Sequence, residues 1–421
     1  MRFLPLLLSF ALVACASDGP ADGDGSIATD ESGASDVSNV ADASDSADRP
    51  ANAASSPASL DGEVVLERVA SEEATFRVVR LLDGLENAWA VDWLPDGRML
   101  VTERPGRMLL VDGASETPLS GLPEVWAENQ GGLLDVRVAP DYEETGWIYF
   151  TYSKKEGAVG GTVLARARLD GSALTDVEEI YRQTPFLEPN YHFGSRIAFR
   201  DDGTMLVTMG ERGQRRNRTV DIPTPSTSVG TTVRLNMDGS VPDDNPFVGQ
   251  SDARPEVYSY GHRNQQGMAI HPETGAIWQH EHGPHGGDEL NLIEPGANYG
   301  WPAVSYGDTY SRPRRPIGGS EAPGVTPPVK YWDPSPALSG MAFYQGDRFP
   351  AWQNDLFMGA LALQKVLRVE LNDDNKVVHE EELLYGEVGR VRDIAVGPDG
   401  YLYVLTDASD GALYRLEPTQ G

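Results

Sequence analysis

Six stretches of this chain repeat one hairpin. "AVDWLPDGRMLVTER" begins at Ala90, "DVRVAPDYEETGWIYFTYS" at Asp135, "SRIAFRDDGTMLVTMGER" at Ser195, "GMAIHPETGAIWQHEHG" at Gly267 and "RDIAVGPDGYLYVLTD" at Arg392. A degenerate copy, "SGMAFYQGDRFPAWQNDLFMGAL", begins at Ser339. Each reads as an alternating strand, a turn built from Pro, Asp and Gly, and a second strand rich in β-branched, aromatic and Met residues. One hairpin cannot bury its apolar face alone, so copies spaced by roughly 45 to 75 residues, with little helical patterning between them, must stack on one another. The pattern predicts an all-β protein, a six-bladed β-propeller, in which radial repetition shields the strand edges. After the last repeat "GALYRLEP" supplies a further strand of blade six, and "TFRVVRLL" from Thr75 is placed to complete that blade from the N-terminal end. The propeller is expected over 75–421.

What precedes it reads differently. Residues 1–15, "MRFLPLLLSFALVAC", combine one Arg with an apolar run too short to span a bilayer as a helix, which is the pattern of an export signal. Leu12-Val13-Ala14-Cys15 resembles the bacterial lipoprotein box, in which the cysteine is acylated, and Cys15 is the only cysteine in 421 residues. The expectation is a lipid anchor on Cys15 and no disulfide. Ala16 and Ser17, in place of an Asp that would retain the protein at the inner membrane, point to the outer membrane with a periplasmic domain. Residues 16–60 are Ala, Ser, Asp and Gly with almost nothing apolar, a solvated tether that cannot offset the entropy of ordering. Between 60 and 74 the patterning is weak and fits either side. A formal charge of −30 argues against nucleic acid and anionic membrane surfaces as partners, although the tether carries part of it.

Polar groups recur beside the repeats: Asn129 and Gln130 before blade two, His192 before blade three, and Glu211, Arg212, Gln214 and Arg215 after its hairpin. His262, Arg263 and Asn264 precede blade four, and Arg390 and Arg392 precede blade six. Equivalent positions in successive blades meet on one face of a ring, where propellers build their sites. Arg390 and Arg392, two apart, project to one side and suit a polyanionic ligand. Arg263 and Asn264 read as pins holding a loop, and His192 reads equally as a core histidine or as a site residue.

"HEHGPHGGDELNLIEPGANYGWP", from His280, packs three histidines and three acids into ten positions. His280 and His282 share a face, and His285 with Asp288 or Glu289 would complete a tetrahedral zinc set. Against this, "GPHGG" is a turn that presents backbone carbonyls, hard oxygen ligands that suit calcium. Calcium, zinc and no metal all stay open on these residues alone.

Together "QGGLLD", "HFGSRI", "RLNMDGSVPDDNPF", "YSYGHRNQQGMAIHP", the 280–302 stretch, "SGMAFY" and "GRVRDIAVGPDGYLYVLTD" resemble the soluble quinoprotein glucose/sorbosone dehydrogenase family, in particular its aldose sugar dehydrogenase branch. The resemblance runs from about Arg77 to the end. It implies a six-bladed propeller that binds pyrroloquinoline quinone (PQQ) and Ca²⁺, oxidises an aldose at C1 to the lactone, and hands electrons to an external acceptor. Carried over by position, His192 corresponds to the general base and Gln130 to a residue beside quinone and sugar. Arg215, or its neighbour Gln214, falls on an active-site pair, and Arg390 and Arg392 hold the cofactor's carboxylates. The carbonyls of Gly283 and Pro284 correspond to ligands of the cofactor-bound calcium, and Glu289 with the carbonyl of Tyr299 to a second, structural calcium. One departure stands out. In "FMGALALQKVLRVEL" the family's quinone-contacting lysine is replaced by Ala362, and strand alternation turns Lys365 to the other face. Weakened quinone binding is the expected result, and a propeller without redox activity that binds sugar or protein, or a Ca²⁺-dependent lactone hydrolase, is the alternative.

Overall fold

The computed structural model describes residues 61–214 and 222–419. Cys15, the 1–15 signal, the 16–60 tether and Arg215 lie outside the described residues. Almost everything described is β: five four-stranded antiparallel sheets and one of five strands, the six blades of a propeller. The innermost strands are Ala88–Trp93, Leu133–Val138, Gly194–Phe199, Gln265–Ile270, Leu338–Phe343 and Val391–Val396. They hold the first strand of each repeated hairpin, and each packs against the next around a closed circle.

The turns between first and second strands show why the repeats fold alike. In blade one the Leu94 and Gly97 N–H groups donate to Arg98 O (2.8 Å) and Leu94 O (2.9 Å), and Asp96 Oδ1 accepts from Arg98 N at 3.1 Å. Blade three repeats this with Arg200, Gly203 and Asp202, and blade six with Gly397, Gly400 and Asp399. The third turn residue needs φ near +80°, which glycine adopts without cost: Gly97 has φ 88°, Gly203 78° and Gly400 79°.

Second strands carry a threonine that links blades. Thr102 Oγ1 donates to Leu134 O at 2.5 Å and Thr151 Oγ1 to Ser195 O at 2.9 Å, while accepting the N–H of Ala90 and Asp135 in their own blades. Thr208 Oγ1 occupies the same position against Gln265 O, at 3.5 Å. Around these links the blades bury both faces, so a strand such as Thr204–Met209 is fully buried, its threonine hydroxyls taken up by hydrogen bonds.

Blade six closes the ring. Its strands Val391–Val396, Leu402–Thr406 and Gly411–Pro418 are joined by Thr75–Leu85, as "TFRVVRLL" led us to expect. Glu63–Ala70 then adds a fifth strand, so the sheet begins at Glu63 rather than at 75. This outer strand is half exposed, and that is why its sequence lacks a clean pattern. No helix among the described residues is long and apolar enough to cross a membrane.

Candidate active site

A cavity of about 230 Å³ opens at one end of the ring, and all six blades contribute to its wall. Trp89 and Arg104 come from blade one, Gln130 and Leu134 from blade two, Phe193 and Gly194 from blade three. Asn264, Gln266 and His282 come from blade four, Ala337 and Leu361 from blade five, and Arg390, Arg392 and Asp407 from blade six. Buried Arg196 braces Trp89 from the axis: it stacks on the indole at 4.1 Å and bridges Asp135 (3.2 Å) and Asp393 (2.8 Å).

Arg390 and Arg392 do reach one place, and a third arginine meets them there. Arg392 Nη2 lies 2.7 Å from Asp407 Oδ2, whereas Arg390 Nη2 and Arg104 Nη2 approach the same carboxylate only to 3.8 Å. Burial alone would raise the pKa of Asp407, but Arg392 and Arg104 outweigh it and hold the carboxyl well below the usual range. Burial lowers the pKa of Arg104, and repulsion from Arg392 and Arg390 lowers it further. The Nε atoms of Arg104 and Arg392 are buried without a hydrogen-bond partner. Three cations around one anion, with donors unfilled, describe a seat for a multiply charged anion.

His192 is not among the residues lining the cavity but adjoins two that are, Gln130 and Phe193. Its φ of 55° is unusual for a side chain of this size. The conformation is held by its N–H donating to Gln130 Oε1 (2.9 Å) and by Nδ1 lying 2.6 Å from Glu211 Oε1. Arg212 sits beneath this loop, fully buried. It stacks on Phe193 at 3.7 Å and donates to Tyr191 O at 3.0 Å and to Gly160 O at 3.2 Å. Desolvation brings its pKa down to about 9. Gln214 is buried beside it, donating to Arg212 O at 3.3 Å, and is not among the residues lining the cavity.

Asn264 corrects our reading of it as a pin alone: its Oδ1 does accept Gly194 N (3.3 Å) and Gln266 Nε2 (3.2 Å), yet the residue lines the cavity. Arg263 keeps the structural role, donating to His282 O at 2.9 Å and Gly283 O at 2.7 Å. Arg104, Trp89 and Asp407 were missed. They sit in or beside hairpin strands, where nothing in their spacing separates them from surface or core residues.

The histidines of the 280–302 stretch do not gather with the acids into a metal cage among the described residues; the one carboxylate trio with oxygens within 4.8 Å of one another is Glu73, Asp355 and Glu370. His280 is buried in its strand, His282 Nε2 is bonded to Leu338 O, and His285 lies edge-on to Tyr310. Gly283 O takes the Arg263 hydrogen bond, and Pro284 O takes one from Tyr310 Oη at 2.6 Å. Glu289 lies directly across the ladder from Glu281. Burial, Glu281 and Asp288 push its pKa well above the carboxylate range, against the hydrogen bond from Asn291. Asn291 Oδ1 is buried without a partner. Tyr299 is buried close by, its ring stacked on His262 at 4.7 Å.

Ala362 lies in the tight turn 361–364, not in a strand, so strand alternation does not decide where Lys365 points. Lys365 is excluded for another reason: its Nζ is paired with Glu382.

Comparison with known proteins agrees with this architecture. The Glucose / Sorbosone dehydrogenase family model matches residues 85–415. Aldose sugar dehydrogenase YliI of Escherichia coli is 44% identical over 355 residues, covering 82% of this chain and 94% of that protein. The crystal structure of the soluble E. coli aldose sugar dehydrogenase in its apo form superposes with a TM-score of 0.77 at 43% identity, covering 82% of this chain and all (100%) of the other. The PQQ-bound aldose sugar dehydrogenase from Streptomyces coelicolor superposes with a TM-score of 0.66 at 27% identity, over 82% of this chain and 99% of that one.

Proposed function

The chain belongs to the glucose/sorbosone dehydrogenase family, and on that premise we propose that it oxidises aldoses at C1 to the lactone with PQQ as cofactor and an external electron acceptor. The observation that carries the reading is the trio Arg104, Arg390 and Arg392 around a single carboxylate in a cavity built by every blade. A tricarboxylate fits this charge imbalance and the unfilled Nε donors.

When bound, the quinone supplies the hydride acceptor. The chain supplies the rest. Arg390 and Arg392 would hold the carboxylates, and Trp89, Leu134 and Phe193 add apolar surface to the wall. His192, its Nδ1 bound to Glu211, would take the sugar's C1 hydroxyl proton, and the Glu211 carboxylate would steady the imidazolium that results. Gln130 spends its Oε1 on the His192 N–H, which leaves the amide NH₂ as its donor toward the cavity.

Calcium belongs to the proposal at two places. Glu289 beside Glu281, with the unfilled Asn291 Oδ1, suits a hard cation, and the Tyr299 carbonyl would join them. At Gly283 and Pro284 each carbonyl already accepts one hydrogen bond, so an ion there uses the remaining lone pairs and lies close to Arg263. A lipid anchor on Cys15, with the propeller in the periplasm at the outer membrane, completes the proposal; it rests on the sequence of residues 1–17.

The test is a titration of the purified protein with PQQ, with and without Ca²⁺, following dye reduction by a panel of aldoses. Saturable, calcium-requiring reduction is expected, and His192→Ala should lower turnover by about 10²- to 10⁴-fold while leaving quinone affinity nearly intact. Absence of quinone binding at every accessible concentration would overturn the reading in favour of a ligand-binding propeller.

A further inference from the structure

We propose that Arg104 is the third cationic anchor of the cofactor, standing in for the lysine that this chain lacks at position 362. The inference rests on the quinone-dependent reading above. Arg104 sits in the turn between strands Met99–Glu103 and Arg107–Asp112 of blade one, a position with no motif to mark it.

Its backbone is fixed before any ligand arrives. The N–H donates to Asn87 O and the carbonyl accepts from Leu133 N, each at 3.1 Å. Gly132, at φ 151°, permits the approach: a Cβ there would lie 2.2 Å from Arg104 O. The side chain is anchored at one end only. Nη1 donates to Asn129 O at 2.6 Å, Nη2 stands 3.8 Å from Asp407, beyond hydrogen-bond reach, and Nε is buried without a partner. Asp407 gives its close contacts to Arg392 at 2.7 Å and to the Asn87 amide at 3.0 Å, so Arg104, at 3.8 Å, is only loosely paired where it lines the cavity. The side chain keeps 21% of its surface exposed while Nε is buried, and an anion in the cavity would complete its pairing.

On blade five the cavity wall offers no cation: Ala337 and Leu361 line it. Leu361 lines the wall and its carbonyl accepts from Arg390 Nη1 at 3.3 Å, but the next side chain is only the Ala362 methyl, and Lys365 is engaged with Glu382. A cation lost from blade five is therefore matched by a cation presented from blade one. The rival account is that Arg104 merely pins the Asn129–Gln130 loop.

The experiment is an equilibrium titration with PQQ, read by quenching of tryptophan fluorescence, since Trp89 lines the cavity, and by the shift in melting temperature. Neither readout depends on turnover. Arg104→Met should weaken quinone binding roughly tenfold or more, Arg104→Lys should retain part of the affinity, and Ala362→Lys in the Arg104→Met background should recover most of it. Quinone binding by Arg104→Met equal to the parent's would overturn the inference. So would a lowered melting temperature of the quinone-free Arg104→Met protein with no gain in affinity from Ala362→Lys, the signature of a loop pin. If the parent itself binds no quinone, the dehydrogenase reading falls first, and this inference with it.

Discussion

Two clusters of buried charge in this molecule are near mirror images. In the cavity, three arginines share Asp407; at the rim of blade five, Arg368 alone is surrounded by Glu73, Asp355, Glu370 and Glu381, at 2.7 to 3.1 Å. Two aspartates report the difference. Asp407 is held far below the carboxylate range by Arg392 and Arg104 despite its burial, whereas Asp355 is pushed up to about 6 by burial and by its neighbours Glu370 and Glu73, against the pull of Arg368. The surplus acids at the rim have an outlet, because Glu73 and Glu370 are partly exposed and water takes up their charge. In the cavity Arg104 and Arg392 keep buried Nε atoms without partners, and only Arg390 opens widely to solvent. Surplus charge that faces solvent is a clasp, here tying the N-terminal segment to blade five; surplus charge that faces an enclosed space is a binding site.

The comparison breaks if the clusters can exchange roles. Arg368→Met should cost about 3–5 kcal/mol of stability, because it strands Asp355 and Glu381 in the interior. Denaturant midpoints should show this with quinone affinity unchanged. Arg392→Met should weaken quinone binding by about 1.5–3 kcal/mol in a fluorescence titration, and because Asp407 keeps Arg104, Arg390 and the Asn87 amide, the denaturant midpoint should shift less than for Arg368→Met. If both substitutions strike stability alike, the cavity arginines are structural. The smallest effect is on pH dependence. As pH rises from about 4 to about 6 the folded protein keeps a proton on Asp355 that the unfolded chain has released, so this group makes stability fall; Asp355→Asn should flatten that slope in midpoints measured across the range. Asp407 acts oppositely: its contribution is complete above the ordinary carboxylate range and is lost only as pH drops through its depressed value.

The sequence made the ring legible and the site only in part. Hairpins repeat because each blade meets the same packing problem, so Pro-Asp-Gly turns and apolar second strands recur in register with the blades. Arg390 and Arg392 were legible for a local reason, since a spacing of two on an extended segment sends both to one side. Arg104 and Asp407 were not, because they come together from opposite ends of the chain through closure of the ring. Asn264 was misjudged for a related reason: a side chain that pins a loop and one that lines a cavity have the same composition, and here one residue does both. The edge strand Glu63–Ala70 was ambiguous because half-exposed positions do not have to alternate.

Ring closure has a kinetic consequence. The strand Thr75–Leu85 pairs with Gly411–Pro418, so the first interior strand to be synthesised has as its partner one of the last. Until that partner emerges, the nascent chain holds at best an open fan of blades with an unpaired edge at each end, and closure must bring together two segments at nearly the greatest separation the chain allows. Such a protein should fold slowly and only when complete, and a truncation that removes the final strand should leave an aggregating chain instead of a five-bladed ring.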